Sequence, residues 1–196
     1  LRALALSDTT AEGSVTFSGN ASVMLPVADT RRNPGRPMQV KADMDVASLM
    51  WQMPGRKISG DDLKLTFNTA DSVTEATLRN HDLAMDFESP CAIDTLLARF
   101  TSTSETLNRG LARRRVDIDS LQMELPRFSL TLNAGTDNIL ASTLHDMGIS
   151  VNAMNLKARN DTSVTASALF TGIKSGTTKV DTVSVSMARK GSYLLY

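Results

Sequence analysis

The sequence is poor in the side chains that usually carry chemistry. It has one cysteine and two histidines in 196 residues, and aromatic residues make up only 5%. A single thiol cannot form an internal disulfide, so we expect Cys91 to be a buried, inert side chain. His81 and His145 stand in no metal-binding or nucleophile motif, and no phosphate-binding glycine loop is present. We therefore expect no catalytic residue, no metal site, no cofactor and no enzymatic activity.

Charge of one sign is not in excess either. Lys plus Arg and Asp plus Glu number 21 each, which gives a formal net charge of zero. Nucleic-acid binding needs a basic excess, so we expect no nucleic-acid partner. The local basic cluster Arg113–Arg115 fits a solvated loop or a guard on an edge strand, and contact with acidic headgroups is the alternative. No apolar run approaches the ~20 residues that a membrane-spanning helix needs.

What the sequence does contain is apolar residues at every second position. Leu63, Leu65 and Phe67 alternate with polar residues, and the same pattern returns 20 residues later. Shorter copies occur at Val15 and Phe17, from Val40 to Val46, and from Val183 to Met187. Alternation of this kind places one set of side chains on one face of a strand. Our candidates for a continuous apolar face are Leu63, Leu65, Phe67, Leu83, Met85, Phe87, Leu121, Met123, Leu125, Leu130 and Leu132.

Turn signals and two helical patterns interrupt this alternation. Ser18–Asn20 and Asn80–Asp82 read as short turns, and strands joined by short turns predict an antiparallel meander. Ile93, Leu96, Leu97 and Phe100 have helical spacing. A second short helix is predicted from Ile139 to Met147, with Asp137 as N-cap and Gly148 just past the end. The stretch 101–116 fits either a strand or a helix.

These patterns predict a mainly β fold, a curved antiparallel repeat sheet with one or two short amphipathic helices. The chain begins at Leu1 without Met and ends in the apolar run Leu194–Tyr196, so we interpret 1–196 as one fragment of a longer repeat protein, with a possible subdivision near 91–116. The alternation fits equally well a β-sandwich, in which a second sheet seals the apolar face as ordinary core. A half-closed sheet that continues into neighbouring repeats needs no such closure.

The order of elements from Asp117 onward carries a resemblance. A strand pair is followed by the helix Asp137–Gly148, by Ile149–Val151, and by a strand with an Asn160–Asp161 turn. This order, with the Leu-x-Leu repeats before it, resembles the TamB/AsmA family of translocation and assembly proteins in the form found in Bacteroidetes. The resemblance rests on the style of the repeats, best from Asp62 to the end, and on no single signature residue.

The resemblance implies a location and a function. TamB-like proteins are anchored in the inner membrane and cross the periplasm, and their repeats form a groove with an apolar concave side, the β-taco. They act with an outer-membrane barrel of the Omp85 class in outer-membrane protein assembly and in phospholipid transport. By resemblance we expect a periplasmic groove that shields phospholipid or hydrophobic β-strands. The alternative is a structural or adhesive β-repeat region with a sealed core.

Overall fold

A computed structural model describes residues 14–24, 39–53, 56–70, 72–112, 123–190 and 193–195. Within these residues eleven strands and two complete helices are formed, and Met123 and Glu124 are also helical. The strands are β1 (Ser14–Met24), β2 (Val40–Met53), β3 (Arg56–Ala70), β4 (Val73–Asn80), β5 (Leu83–Ser89), β6 (Phe128–Ala134), β7 (Ile149–Ser150), β8 (Ala153–Asn160), β9 (Val164–Ser175), β10 (Thr178–Lys190) and β11 (Tyr193–Leu195). The helices are α1 (Ile93–Ala112) and α2 (Ile139–Asp146).

All eleven strands belong to one open antiparallel sheet. The order is β1-β2-β3-β4-β5-β6-β8-β9-β10-β11, and the short β7 pairs with β9. Each neighbouring pair in this order is antiparallel, as in a meander, although the connections from β5 to β6 and from β6 to β8 are long and carry the two helices. The predicted fold class, a mainly β curved antiparallel sheet with helices beside it, is confirmed.

Helix α2 is delimited by its caps much as the sequence indicates. Gly148 has a φ of 76° directly after the last turn, a conformation that glycine adopts without strain. The N-cap, however, is Asn138 and not Asp137: the Asn138 side chain accepts a hydrogen bond of 2.8 Å from the Ala141 N–H. Asp137 instead donates its backbone N–H to the carboxylate of Asp82, so tertiary contacts shift the cap by one residue.

Helix α1 resolves the ambiguous stretch 101–116 in favour of a helix as far as Ala112, and its 20 residues make it longer than predicted. Its first turns are anchored, because Ala92 and Leu96 are buried. Phe100 packs on Phe128 with ring centroids 6.0 Å apart, and Phe128 stacks on Phe87 of β5 at 6.2 Å. This chain of three rings fixes the start of α1 to the sheet.

Three further expectations from the sequence are wrong. The alternation of Leu121, Met123 and Leu125 predicts a strand over 121–125, but Met123 and Glu124 are helical and Leu125 lies in a bend. Pro126, which follows directly and is fully buried, has no N–H to give to a sheet ladder. Ser18–Asn20 forms no turn and lies inside β1, where the register with β2 shifts between Ser18 and Gly19. Cys91 is only partly buried.

The compact core lies between α2 and the sheet. Leu83, Ala134, Val151 and Met154 form its buried centre. Partly buried side chains surround them: Leu78, Leu132, Ile139, Leu140, Leu144, Ile149, Phe170 and Ile173. The core therefore occupies one end of the strands, and Leu78 and Leu132 extend it toward the middle of the same sheet face.

Candidate functional site

The middle of the sheet carries two parallel rows of apolar side chains, which we call the apolar strip. Each row takes one residue from each of nine strands, β1 to β6 and β8 to β10, through directly opposed pairs. The first row is Ala21, Met44, Leu65, Leu78, Met85, Leu132, Leu156, Ala168 and Val185. The second row is Val23, Ala42, Phe67, Ala76, Phe87, Leu130, Ala158, Ala166 and Met187. No residue in either row has a polar side chain.

The residues between these two rows point to the other face, and all of them are polar. They are Ser22, Asp43, Thr66, Thr77, Asp86, Thr131, Lys157, Ser167 and Ser186. Neighbours on this face pair with each other: the Thr66 and Thr77 hydroxyls lie 2.6 Å apart, and Arg79 bonds to Asp86 at 2.5 Å. The sheet therefore separates a wet face from an apolar face across nine strands.

Six of the eleven residues predicted for the apolar face lie in the strip: Leu65, Phe67, Met85, Phe87, Leu130 and Leu132. Leu63 and Leu83 are one step further along their strands, in the row beside α2, where Leu83 is buried at 3% exposure. Met123 is 75% exposed and, like Leu125, belongs to no strand. Leu121 lies outside the described residues.

Twelve further residues complete the strip, and none of them is among the eleven candidates. The alternation predicted from Val40 to Val46 and from Val183 to Met187 includes four of the twelve, namely Ala42, Met44, Val185 and Met187. Ala76 and Leu78 alternate in β4 with Glu75, Thr77 and Arg79, but the apolar pattern is only two residues long because Thr74 and Asn80 on the same face are polar. Ala158, Ala166 and Ala168 alternate in period two as well, but alanine gives a weak hydrophobic signal. Counting alanine as apolar in the period-two pattern would have identified β8 and β9 as part of the same face.

One long side of the strip ends at buried hydroxyl groups. Thr69, Thr74 and Ser89 are each no more than 1% exposed. Their hydrogen bonds are satisfied within the protein, because Thr74 donates to the Cys91 carbonyl at 2.8 Å and Ser89 donates to the Arg127 carbonyl at 2.5 Å. These groups hold the loops that flank α1, and they offer no free donor to a ligand.

The other long side ends at α2 and the β4–β5 turn. Asn80 is 1% exposed and bridges two elements, accepting from the Ile139 N–H at 2.6 Å and donating to the Asp61 carbonyl at 2.5 Å. Burial raises the pKa of Asp82, but hydrogen bonds from the Asn138 side chain and from nearby backbone N–H groups outweigh that effect and hold the pKa below its usual value. The turn thus fixes the position of α2.

An ion pair joins the same turn to β3. His81, at a φ of 50°, lies 3.0 Å from the Asp61 carboxylate. The hydrogen bond to Asp61 raises the pKa of His81, with a further contribution from the charge of Asp137. The same contact lowers the pKa of Asp61. This pair links the β4–β5 turn to β3 at one edge of the site.

The two ends of the strip are its most exposed parts. Val23 in β1 is 56% exposed and Val185 in β10 is 54% exposed, whereas the strip residues from β2 to β9 are half-buried. At the spacing of ~4.8 Å between strands, nine strands give a strip of about 38 Å. Its chemistry is restricted to apolar contact, because none of its side chains can donate a hydrogen bond and its only acceptors are the weakly accepting sulfur atoms of three methionines.

Other kinds of site find no support among the described residues. Within them, no group of three His, Cys, Asp or Glu side chains could hold a metal ion. No helix in the described part of the chain is both long enough and apolar enough to span a membrane. Comparisons with models of protein families, with curated proteins and with solved structures find no match for this chain.

Proposed function

We propose that this chain is a segment of a periplasm-spanning, TamB/AsmA-like envelope protein whose apolar strip shields the hydrocarbon of phospholipid or the side chains of nascent outer-membrane β-strands. The observation that carries the proposal is the unbroken strip of two rows across nine strands. The periplasmic location, the inner-membrane anchor and the Omp85-class partner are proposed from the style of the repeats alone.

The length of the strip supports a hydrocarbon ligand. The hydrocarbon core of a bilayer is about 30 Å thick, so one acyl chain extends over about 15 Å. A strip of about 38 Å covers that length more than twice. Each methylene group of an acyl chain that is removed from water contributes about 0.8 kcal/mol to the binding free energy. A continuous apolar surface gives this contribution along the whole acyl chain, whereas a surface interrupted by polar groups does not.

The chemistry of the strip favours lipid over a client strand. A peptide laid on the face of a sheet must leave its backbone N–H and C=O groups unpaired, because the strip side chains have no polar atoms. Each buried, unpaired group costs about 1–3 kcal/mol. An acyl chain has no such groups, so the same surface binds it without that penalty.

The proposal is tested by placing a photo-crosslinking amino acid at Leu156 or at Lys157. The two positions are adjacent in β8, and Leu156 lies in the strip whereas Lys157 is on the polar face. We expect cross-links to phospholipid from Leu156 and none from Lys157, together with phospholipid in an organic extract of the purified protein. Equal labelling at the two positions, or no lipid at either, would contradict the proposal.

The sealed-core alternative has a distinct outcome in the same experiment. If a part of the chain outside the described residues packs on the strip, Leu156 will cross-link within the protein and the extract will contain no phospholipid. Cross-links from Leu156 to added hydrophobic strand peptides, in competition with phospholipid vesicles, would instead support the handling of client strands.

A further inference from the structure

Strand β1 lies at an edge of the sheet and carries none of the charges or prolines that usually protect such an edge; its one irregularity is the shift of register with β2 between Ser18 and Gly19. Among the described residues it pairs only with β2. Its eleven residues, SVTFSGNASVM, include no charged residue and no proline. Edge strands usually carry a proline, or a charged residue such as lysine, that prevents pairing with a further strand. Val23 and Met24, at 56% and 61% exposure, add an apolar surface to this unprotected edge.

The opposite side of the sheet is protected. The last long strand, β10, contains Lys179 and Asp181, both exposed, and β11 pairs with its final residues, Ala188–Lys190. The contrast between the two sides singles out β1 as the edge open to pairing with a further strand.

We propose that β1 is a self-association interface, at which β1 of one copy pairs antiparallel with β1 of a second copy around a two-fold axis at Gly19. With the axis at Gly19, residue number i of one copy lies opposite residue number 38 − i of the other copy. This is the register in which all eleven residues of β1 have a partner. A two-fold axis normal to the sheet keeps each copy's apolar face on the same side.

The sequence of β1 is self-complementary in this register. Its odd positions, 15 to 23, are Val, Phe, Gly, Ala and Val, and its even positions up to Ser22 are Ser, Thr or Asn. Because 38 is even, odd positions meet odd positions and even meet even, so residues of like polarity pair at every position from 15 to 23, and only the outermost pair, Ser14 with Met24, is mixed. A slip of one residue would place apolar positions opposite polar ones. The second copy is thus a partner whose pattern fits the edge at all but its two outermost positions.

The experiment uses two single-cysteine variants, Thr16→Cys and Ser22→Cys, each in a Cys91→Ala background. Both positions are exposed, and they lie opposite each other across the proposed interface. Directly opposed residues of antiparallel strands have Cα atoms about 4.5–5.5 Å apart, within the range that a disulfide spans. In contrast, position 16 of one copy lies six residues along the strand, or about 20 Å, from position 16 of the other copy, which is too far for a disulfide.

We expect an equimolar mixture of the two variants to form a disulfide-linked heterodimer on mild oxidation, and either variant alone to remain uncross-linked. Sedimentation of the protein without engineered cysteines should show a dimer. A monomer, as expected if another segment of the same chain occupies the edge, or cross-links within a single variant, would overturn the proposal.

A matched pair of substitutions tests the same interface without cysteines. Val23→Lys places a charge at the β1 edge, and Val185→Lys places one at an equally exposed valine at the other end of the strip. We expect Val23→Lys to weaken self-association at least tenfold and Val185→Lys to leave it unchanged. Equal effects, or no effect of Val23→Lys on a dimer, would overturn the proposal. The assay uses no lipid, so its outcome is separate from that of the lipid cross-linking.

Discussion

The most informative single perturbation is Asn80→Ala at the end of β4. Asn80 is 1% exposed, and its amide makes two hydrogen bonds, to the Ile139 N–H at 2.6 Å and to the Asp61 carbonyl at 2.5 Å. Alanine removes both bonds and leaves the donor and the acceptor unpaired in a buried position. At about 1–3 kcal/mol for each of the two unpaired groups, the expected loss of unfolding free energy is about 2–6 kcal/mol. For a chain of this size that corresponds to a fall in Tm of roughly 10 °C.

Urea unfolding followed by circular dichroism measures this loss, and Asn155→Ala is the control. Asn155 is an exposed asparagine on the polar face of β8, so its removal should cost less than about 0.5 kcal/mol. Hydrogen exchange locates the effect, because the Ile139 amide should lose protection in Asn80→Ala while amides in β8 and β9 keep theirs at low denaturant. Equal stability of the two variants would refute the view that this amide holds α2 on the sheet.

Three further predictions follow from other contacts. Gly19→Ala should destabilise the protein by roughly 1–3 kcal/mol in thermal unfolding, because a Cβ at Gly19 would lie 2.1 Å from the Asp45 carbonyl oxygen. The control Ala21→Ser, on the same strand, should have little effect. Phe100→Ala should remove the ring contact with Phe128 and lower the unfolding free energy by about 1–3 kcal/mol. We expect faster proteolysis within α1 than in the wild type, and unchanged cleavage there would contradict the anchoring role. Because Asp61 raises the pKa of His81 and His81 lowers the pKa of Asp61, the stabilisation from this pair is complete between about pH 4 and about pH 6.5. It is lost as pH rises through the raised pKa of His81, and also as pH falls through the lowered pKa of Asp61. NMR titration should show the pKa of His81 falling towards its ordinary value in Asp61→Asn, and no change would refute the pairing.

The strands and their faces could be predicted where the alternation is strong and local. Leu65, Phe67, Met85, Phe87, Leu130 and Leu132 are in the strip because a period of two in the sequence is a period of two in space. The same rule failed at Met123 and Leu125, in a run of five alternating residues that ends at the buried Pro126. A period-two pattern as short as this does not exclude a helix.

The end of α2 was predictable for a similar reason, whereas its beginning was not. Gly148 follows the last apolar residue of the helix and stops it by a purely local conformation. Asp137 and Asn138 are both good capping residues by type. The choice between them depends on Asp82, 55 residues away, which takes the Asp137 N–H and leaves Asn138 to cap the helix.

By itself the sequence determined a mainly β chain with a segregated apolar face, because backbone geometry converts alternation directly into sidedness. Only the tertiary structure decided how nine strands align that face into two unbroken rows, which part of it α2 covers, and which edge is left unprotected. These properties depend on the register between strands and on contacts such as Asn80 to Ile139 and His81 to Asp61, which join residues 20 to 59 positions apart. No local pattern specifies contacts at that separation, since they form only when the whole sheet is assembled.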